Sequence, residues 1–236
     1  MDVREETLRQ ATRLFAAKGF DGTSLKDIAE AVGVRKPSLL YHFSSKDELR
    51  RAVIDALLAR WNAVLPRLLM AAASGEDRFA SLMRETVRFF TENPDRARLL
   101  LREILDRPRD LGLRLETHVQ PWVTVIADYI RKGQTTGEIH ADLDPEAYIL
   151  QVVNLVVSGV ATGAGLDRGL LPPDPDADPE DRHARELIRM ARVSLFTPRA
   201  LALIASASEN VAPENVAPEN NAPETEGATD DPRTTA

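Results

Sequence analysis

Helical periodicity is the feature of this chain that most restricts its fold. Up to about residue 205, apolar residues recur every three or four positions, and alternation of the strand type is absent over any useful length. Pro94, Pro145 and Pro179 stand at the starts of three such segments, where a missing backbone N–H is tolerated. We therefore predict an all-α fold of about nine helices, with Pro121 kinking or dividing the segment around it.

The N-terminal part contains two unusually short helical segments joined by a glycine. Ser24 and Asp27 fit a capping box that opens the first segment, and Gly33 closes it. The second segment lies between Lys36 and Phe43, and it is followed by a second predicted capping box, Ser45 to Glu48, that opens a longer helix. Five further segments are predicted at 76–92, 95–106, 111–132, 145–165 and 180–204.

Charge is distributed unevenly along the 236 residues. The net charge is -7, yet residues 1–51 contain ten Lys or Arg against eight Asp or Glu, a net of +2. The remaining residues carry the acidity, with 20 basic and 29 acidic side chains. Such segregation is compatible with binding of nucleic acid by the N-terminal part alone.

Composition removes several classes of protein from consideration. There are no cysteines, so disulfides, thiolate metal sites and cysteine nucleophiles are excluded. The four histidines lack the paired spacing of metal ligands, and we expect no cofactor. No nucleophile–base pair or phosphate loop points to an enzyme. We find no apolar run that approaches the ~18 residues of a membrane span, and we expect a cytoplasmic protein.

Residues 24–43 have the spacing of a helix-turn-helix, in which the second helix enters the DNA major groove. Leu39 and Phe43 would hold that helix to the first one through Val32 and Val34. The alternative is that two short packed helices merely present a solvated charged face, and spacing alone does not decide between these two interpretations.

The longer stretch "TRLFAAKGFDGTSLKDIAEAVGVRKPSLLYHFSSKDEL", residues 12–49, resembles the TetR family of transcriptional regulators. The family pattern includes Phe-x-x-x-Gly-Phe, then Thr-Ser-x-x-x-Ile-Ala, and finally a Ser-Leu-Tyr-Tyr-His-Phe-x-x-Lys segment. The match covers about 45 contiguous residues, and the later helices match only in size, number and helical character. The resemblance implies a DNA-binding regulator rather than an enzyme.

What the resemblance implies for the DNA interface can be carried over position by position. Lys36, Pro37 and Ser38 stand where the family reads bases, with Arg35 directly before them. Tyr41, His42 and Lys46 stand at positions that contact the phosphate backbone. The expected DNA-binding residues are Thr23, Ser24, Lys26, Arg35, Lys36, Pro37, Ser38, Tyr41, His42 and Lys46.

Two positions depart from the family pattern. Leu40 replaces the first tyrosine, which removes a hydroxyl that often binds phosphate. Arg35 stands where a small helix-capping serine is common, so the chain gains a cation and loses a cap worth about 1 kcal/mol.

By the same resemblance, residues 51–207 are expected to bind a small-molecule effector and to form a homodimer, with residues 1–50 as the DNA-binding domain. The candidate effector residues are Met83, Phe89, Phe90, Leu101, Leu105, His118, Trp122 and Tyr129. The candidate dimer residues are Leu155, Ser158, Gly159, Thr162, Gly163, Arg192, Leu195 and Phe196. Intramolecular packing is the alternative for the second set, and plain hydrophobic core is the alternative for the first.

The function predicted from these features is a repressor released from a palindromic operator by its effector. A DNA-binding regulator controlled by a protein partner, without an effector, is the alternative. Residues 208–236 carry three Pro/Glu-containing pentapeptide copies and a net charge of -6, and we expect them to be a disordered acidic tail.

Overall fold

The computed structural model describes residues 2–74, 78–170 and 179–209, and these residues form eleven helices. Within these ranges no strand occurs, and the one extended pairing is a single bridge between Ile139 and Phe196. The all-α prediction is confirmed, with eleven helices in place of about nine. The helices are α1 Val3–Lys18, α2 Leu25–Val32, α3 Lys36–His42, α4 Lys46–Ser74, α5 Arg78–Thr91, α6 Pro94–Asp106, α7 Pro108–His118, α8 Gln120–Thr136, α9 Pro145–Leu170, α10 Pro179–Leu195 and α11 Pro198–Glu209.

Prolines account for the additional helices. Pro121 lies in the first turn of α8, so the segment predicted at 111–132 is divided between α7 and α8. Pro198 begins α11 and divides the predicted segment 180–204 in the same way. Pro66, by contrast, lies inside α4 without ending it.

The first three helices pack around a small core and present α3 to solvent. The predicted Ser24–Asp27 capping box is present at the start of α2, and Gly33 ends α2 in the left-handed conformation with φ of 80°. The second box is present only in part, because Ser45 accepts the Glu48 N–H while the Glu48 carboxylate accepts from Ser44. The shared core of the three helices with the start of α4 includes Phe15, Ile28, Leu39, Phe43 and Leu49.

Helices α1 to α3 and the first turns of α4, which share that core, form the head, and the rest of α4 with helices α5 to α11 forms the body. The packing of α5, α6, α9 and α10 continues the main hydrophobic core, through Val87, Leu99, Val156 and Leu187. The predicted acidic tail lies almost entirely outside the described residues, as does most of the Pro/Asp segment that precedes α10.

One stretch of α9, Pro145–Gly163, corrects the statement that no apolar run approaches the length of a membrane span. It has 19 residues and a mean hydropathy of 1.3, which is sufficient by length and composition alone. Only 11% of this window is buried within the single chain. Large exposed apolar surfaces are typical of sites that contact another protein or a membrane.

The head is fixed to the body by a buried ion cluster. Arg50 in the first turns of α4 has a side chain only 3% exposed, and its guanidinium donates to Glu103 of α6 at 2.5 Å and to Asp110 of α7 at 2.6 Å. The hydrogen bond and charge of Arg50 hold the pKa of Asp110 below its ordinary value. The stabilisation from that carboxylate is therefore full above its unfolded pKa and is lost as pH falls through the lower folded pKa.

A second contact runs from α6 to the end of α1. Arg102 donates from Nε to the carbonyl of Ala16 at 3.0 Å, which satisfies one of the free carbonyls at the C-terminus of α1. Arg107 lies over the ring of Phe20, in the turn after α1, at 4.5 Å from its centroid. Helix α6 thus grips the head through its C-terminal half.

Removing one member of the buried cluster tests its structural role. Glu103→Ala leaves the Arg50 guanidinium buried with one fewer anion, so the free energy of unfolding is expected to fall by about 2–4 kcal/mol. Urea denaturation at fixed protein concentration measures this change. Glu186→Ala, which removes an exposed partner of Arg189, is the matched control and is expected to change stability little. Equal effects of the two variants would contradict the role of the cluster.

A pair of helical glycines tests the packing beneath the Ile139 bridge. A methyl group on Gly133 would come 2.6 Å from Cδ1 of Ile139, which is itself buried, so Gly133→Ala is expected to destabilise by about 1–3 kcal/mol. Gly112 in α7 has nothing within 4 Å of such a methyl group, and Gly112→Ala is expected to stabilise by about 0.5–1 kcal/mol. Thermal unfolding of the two variants measures these opposite changes in stability.

Candidate nucleic-acid interface

Helix α3 has one buried and one exposed face. Leu39 is fully buried, and Phe43 directly after the helix is 2% exposed. Four predicted DNA contacts occupy the exposed side of the helix start and its flank: Arg35, Lys36, Pro37 and Ser38. The sequence folds in this way because Leu39 and Phe43 are one helical turn apart and both enter the core.

The start of α3 is cationic and its cations are available. Among the described residues, neither Arg35 nor Lys36 has a side-chain hydrogen bond or an ion pair. Arg35 occupies the N-cap position of α3 without a side-chain cap, as its departure from the family pattern predicts. Two unpaired cations beside a helix N-terminus make a surface that favours a phosphate or the acceptor edge of a guanine.

The C-terminal part of α3 presents two aromatic rings. Tyr41 is 87% exposed, and its ring meets the His42 ring edge to face with centroids 5.4 Å apart. Leu40 between Ser38 and Tyr41 is half-buried, so it offers only part of its surface to a partner. These positions remain predictions for contact with the DNA backbone.

The start of α2 adds two exposed side chains. Ser24 caps the helix, and its hydroxyl also donates to Asp27 at 2.8 Å. This bonding to Ser24 lowers the pKa of Asp27 below its ordinary value. Lys26 is exposed, and its Nζ lies 3.7 Å from Glu30 in a surface pair that a phosphate could replace.

Thr23 and Lys46 have structural roles that the sequence prediction missed. Thr23 is 1% exposed, and its hydroxyl donates to the carbonyls of Leu14 and Gly19, so its side chain is not placed to contact phosphate. Lys46 donates from Nζ to the carbonyl of Phe20 at 2.7 Å and to that of Thr23 at 2.9 Å. These two bonds explain why a cation is tolerated at the start of α4.

The eight candidate effector residues are divided between the core and the surface of the described structure. Met83, Phe89 and Phe90 are buried in the core, where Trp61 packs edge to face on Phe89. Leu105 and Tyr129 are exposed, and the half-buried members of the set are Leu101, His118 and Trp122. A cavity of about 70 Å³ lies elsewhere, between α5, α6, α9 and α10, and none of the eight lines it.

The candidate dimer residues divide between two faces. Leu155, Ser158 and Thr162 follow one stripe of α9, and the hydroxyls of Ser158 and Thr162 donate back to their own helix. Leu195 is 4% exposed, and Phe196 packs on Phe79, so these two residues stabilise the interior of the chain. The half-buried Arg192 lies on α10 between the two groups.

The two glycines of the candidate dimer set also serve the interior. Gly159 lies against the imidazole of His183, where a methyl group would overlap its Nε2 atom. Gly163 lines the cavity, as does Gly159. These two positions therefore serve packing within the chain, which was the alternative to a dimer interface.

Two family models match this architecture. The model named Bacterial regulatory proteins, tetR family, matches residues 8–53, which include α2, α3 and the start of α4. The model named Tetracyclin repressor-like, C-terminal domain, matches residues 76–190, from the start of α5 into α10. The chain belongs to the TetR family. Members of this family are DNA-binding transcriptional regulators rather than enzymes.

Among TetR-family relatives, IcaR of Staphylococcus epidermidis, a negative transcriptional regulator of the biofilm operon icaADBC, is 27% identical over 149 residues. That alignment covers 62% of this chain and 76% of IcaR. ComR of Escherichia coli, a transcriptional repressor, is 25% identical over 168 residues, which are 68% of this chain and 79% of ComR.

Solved TetR-family structures share the fold. The ketosteroid transcriptional regulator KstR2 of Mycobacterium tuberculosis has a TM-score of 0.61 at 17% identity, covering 83% of this chain and 96% of that one. The fatty acid degradation regulator FadR of Bacillus halodurans has a TM-score of 0.62 at 12% identity, covering 81% of this chain and 95% of that one. At such identities the likeness supports the fold alone.

Substitution of two lysines tests which one contacts DNA and which one stabilises the head. Lys36→Ala is expected to leave thermal unfolding unchanged, to weaken operator binding about tenfold and to reduce the salt slope of binding by about 1. Lys46→Ala removes the donor to two carbonyls and is expected to lower the free energy of unfolding by about 1–3 kcal/mol. Fluorescence anisotropy with a labelled duplex measures the DNA affinity, and thermal unfolding measures the stability. If Lys36→Ala lowered the stability and Lys46→Ala did not, the roles assigned to these two lysines would be contradicted.

Proposed function

We propose that this TetR-family regulator is a cytoplasmic, homodimeric repressor that binds a palindromic operator and is released by a small-molecule effector. The observation that carries the proposal is the exposed start of α3, where Arg35 and Lys36 have no partner among the described residues. The rest of the chain is acidic, so these cations form a local surface suited to DNA.

The division of labour within α3 follows from geometry. Residues at the N-terminal end of a recognition helix reach base edges, and Arg or Lys donates to guanine O6 and N7. Lys36, Pro37 and Ser38 are therefore proposed to read bases together with Arg35. Ser24, Lys26, Tyr41 and His42 are proposed to contact the phosphate backbone.

The dimer proposal rests on the uncovered apolar surface of α9 and α10. Leu155 of α9 and Met190 and Val193 of α10 are each 44–49% exposed. An apolar patch of this kind on a soluble chain is typical of an interface between subunits. A twofold axis along this surface would present two copies of α3 to DNA, about one turn or ~34 Å apart.

Coupling between the body and the head is proposed to run through α6. Pro94 and Arg98 at one end of α6 line the cavity, and Arg102 one turn later holds the carbonyl of Ala16 in α1. A ligand that displaces the start of α6 would therefore displace the head through Arg102 and the Arg50 cluster. The ligand can change the affinity for DNA only to the extent that it binds the state with displaced α6 more tightly than the undisplaced state.

Binding to the DNA upstream of the chain's own coding sequence tests the proposal. We expect anisotropy of a labelled upstream duplex to show tighter binding than a shuffled duplex of the same composition, with a steep dependence on salt. Lys36→Ala is expected to reduce the difference in affinity between the upstream duplex and the shuffled duplex. Equal binding of upstream and shuffled DNA by the intact protein would refute the repressor proposal.

A charge on the α9 face tests the dimer. Leu155→Glu is expected to shift the protein from dimer to monomer in analytical ultracentrifugation, because two glutamates would face each other across the twofold axis. Operator affinity is expected to fall with it. Leu113→Glu, at an exposed leucine of α7 outside the proposed interface, is the matched control and is expected to remain dimeric. If the Leu155→Glu protein remained dimeric, this face of α9 would not be the dimer interface.

A further inference from the structure

The cavity between α5, α6, α9 and α10 has a chemical character of its own. Its walls are formed mostly by short aliphatic side chains, including Val87, Val156, Val160, Ala184 and Leu187. Gly159 and Gly163 let the wall formed by α9 recede, since neither carries a side chain. An occupant must therefore have an apolar body that excludes water from these walls.

Two cationic or donor side chains border this apolar space. Arg98 of α6 and His183 of α10 both line the cavity. His183 is held close to α9 by the absence of a side chain at Gly159. Thr91, at the end of α5, adds a hydroxyl that is bonded to the Arg88 carbonyl at 3.3 Å. A guanidinium and an imidazole facing one space favour an anion.

No residue that lines the cavity within the described part of the chain is acidic. The nearest carboxylate in the contacts of Arg98 is Asp95, one turn earlier in α6, at 3.3 Å from one terminal nitrogen of Arg98. A guanidinium has five N–H donors, so this single contact leaves donors for a second anion. Asp95 nevertheless competes with any anion that Arg98 binds.

We propose that this cavity is the effector site and that its ligand is a small organic carboxylate with a short apolar body. This inference rests on the proposed function as an effector-controlled repressor. The carboxylate accepts from Arg98 and from His183, and the apolar body lies against the valines of α5 and α9.

The volume limits the size of the ligand. An engineered cavity of about 150 Å³ holds a benzene molecule. The cavity here has about 70 Å³, which suits an apolar body of about half that size. Propionate and butyrate, with bodies of two and three carbons, are in this range, and they are the probes of choice.

The position of the site also gives the ligand a route to the head. Arg98 and Arg102 are one helical turn apart on α6, so they lie on the same side of the helix. Arg98 would hold the ligand while Arg102 holds the C-terminal carbonyls of α1. A bound carboxylate that attracts Arg98 would therefore shift the side of α6 that carries Arg102, which bonds to α1 of the head.

Calorimetric titration of the full-length protein with sodium butyrate tests the assignment, with butyramide as the neutral isostere at matched ionic strength. We expect butyrate to bind and to raise the unfolding temperature, and butyramide to do neither. Arg98→Gln is expected to weaken butyrate binding about tenfold or more. Asp95→Asn removes the competing carboxylate and is expected to tighten binding. Arg189→Gln, an exposed arginine of α10, is the control and is expected to match the wild type.

The outcomes separate this inference from the proposed function. Equal effects of butyrate and butyramide, no butyrate binding, or an Arg98→Gln protein that binds as the wild type does would each overturn the carboxylate assignment. Operator binding measured on the same samples is independent of that result. If the protein binds its operator specifically but does not respond to butyrate, only the carboxylate assignment is refuted. If the protein shows no specific operator binding, the repressor proposal is refuted whatever the calorimetric result.

Discussion

The Arg50 guanidinium is the contact on which the relation between head and body depends. It lies almost completely out of water, in the first turns of α4, and its charge is compensated by two carboxylates of the body, Glu103 and Asp110. Asp47, on α4 itself, lies at the 4.0 Å limit of a salt bridge. A buried arginine cannot lose its proton, so it keeps these carboxylates beside it. The position of α4 relative to α6 and α7 is therefore strongly specified, and α3 with it.

Phe20 extends the same junction. The turn that carries this ring receives Lys46 from α4 on one side and Arg107 from the end of α6 on another, with distances of 4.1 Å and 4.5 Å to the ring centroid. The two cation–π contacts tie the α1–α2 turn to α4 and to the end of α6. These contacts join the head to the C-terminal half of α6, the helix whose other end lines the cavity.

Much of the fold could be predicted from the sequence because its signals are local. The Ser24 cap, the Gly33 turn and the two residues Leu39 and Phe43 specify a helix-turn-helix without reference to the rest of the chain. The division at Pro121 was predicted for the same reason. Pro198 follows the bridge between Ile139 and Phe196, a contact between distant segments, and the break there was not foreseen.

The candidate sites were predicted less well where a side chain serves a distant backbone group. Lys46 resembles a phosphate contact in sequence, yet its ammonium group bonds to two carbonyls more than 20 residues away. Leu195 and Phe196 were predicted to lie in the dimer interface, yet Leu195 is buried and Phe196 packs on Phe79. The cavity brings α6 and α10 together, about 85 residues apart, and no periodicity in either helix reports that Arg98 and His183 share it.

Two copies of α3, held by one dimer, are proposed to read a palindrome on one face of DNA. Hydroxyl-radical footprinting of the region upstream of the coding sequence distinguishes this arrangement from others. We expect two protected half-sites related by twofold symmetry, with centres about one helical turn apart. A single protected half-site, or uniform protection without symmetry, would rule the arrangement out.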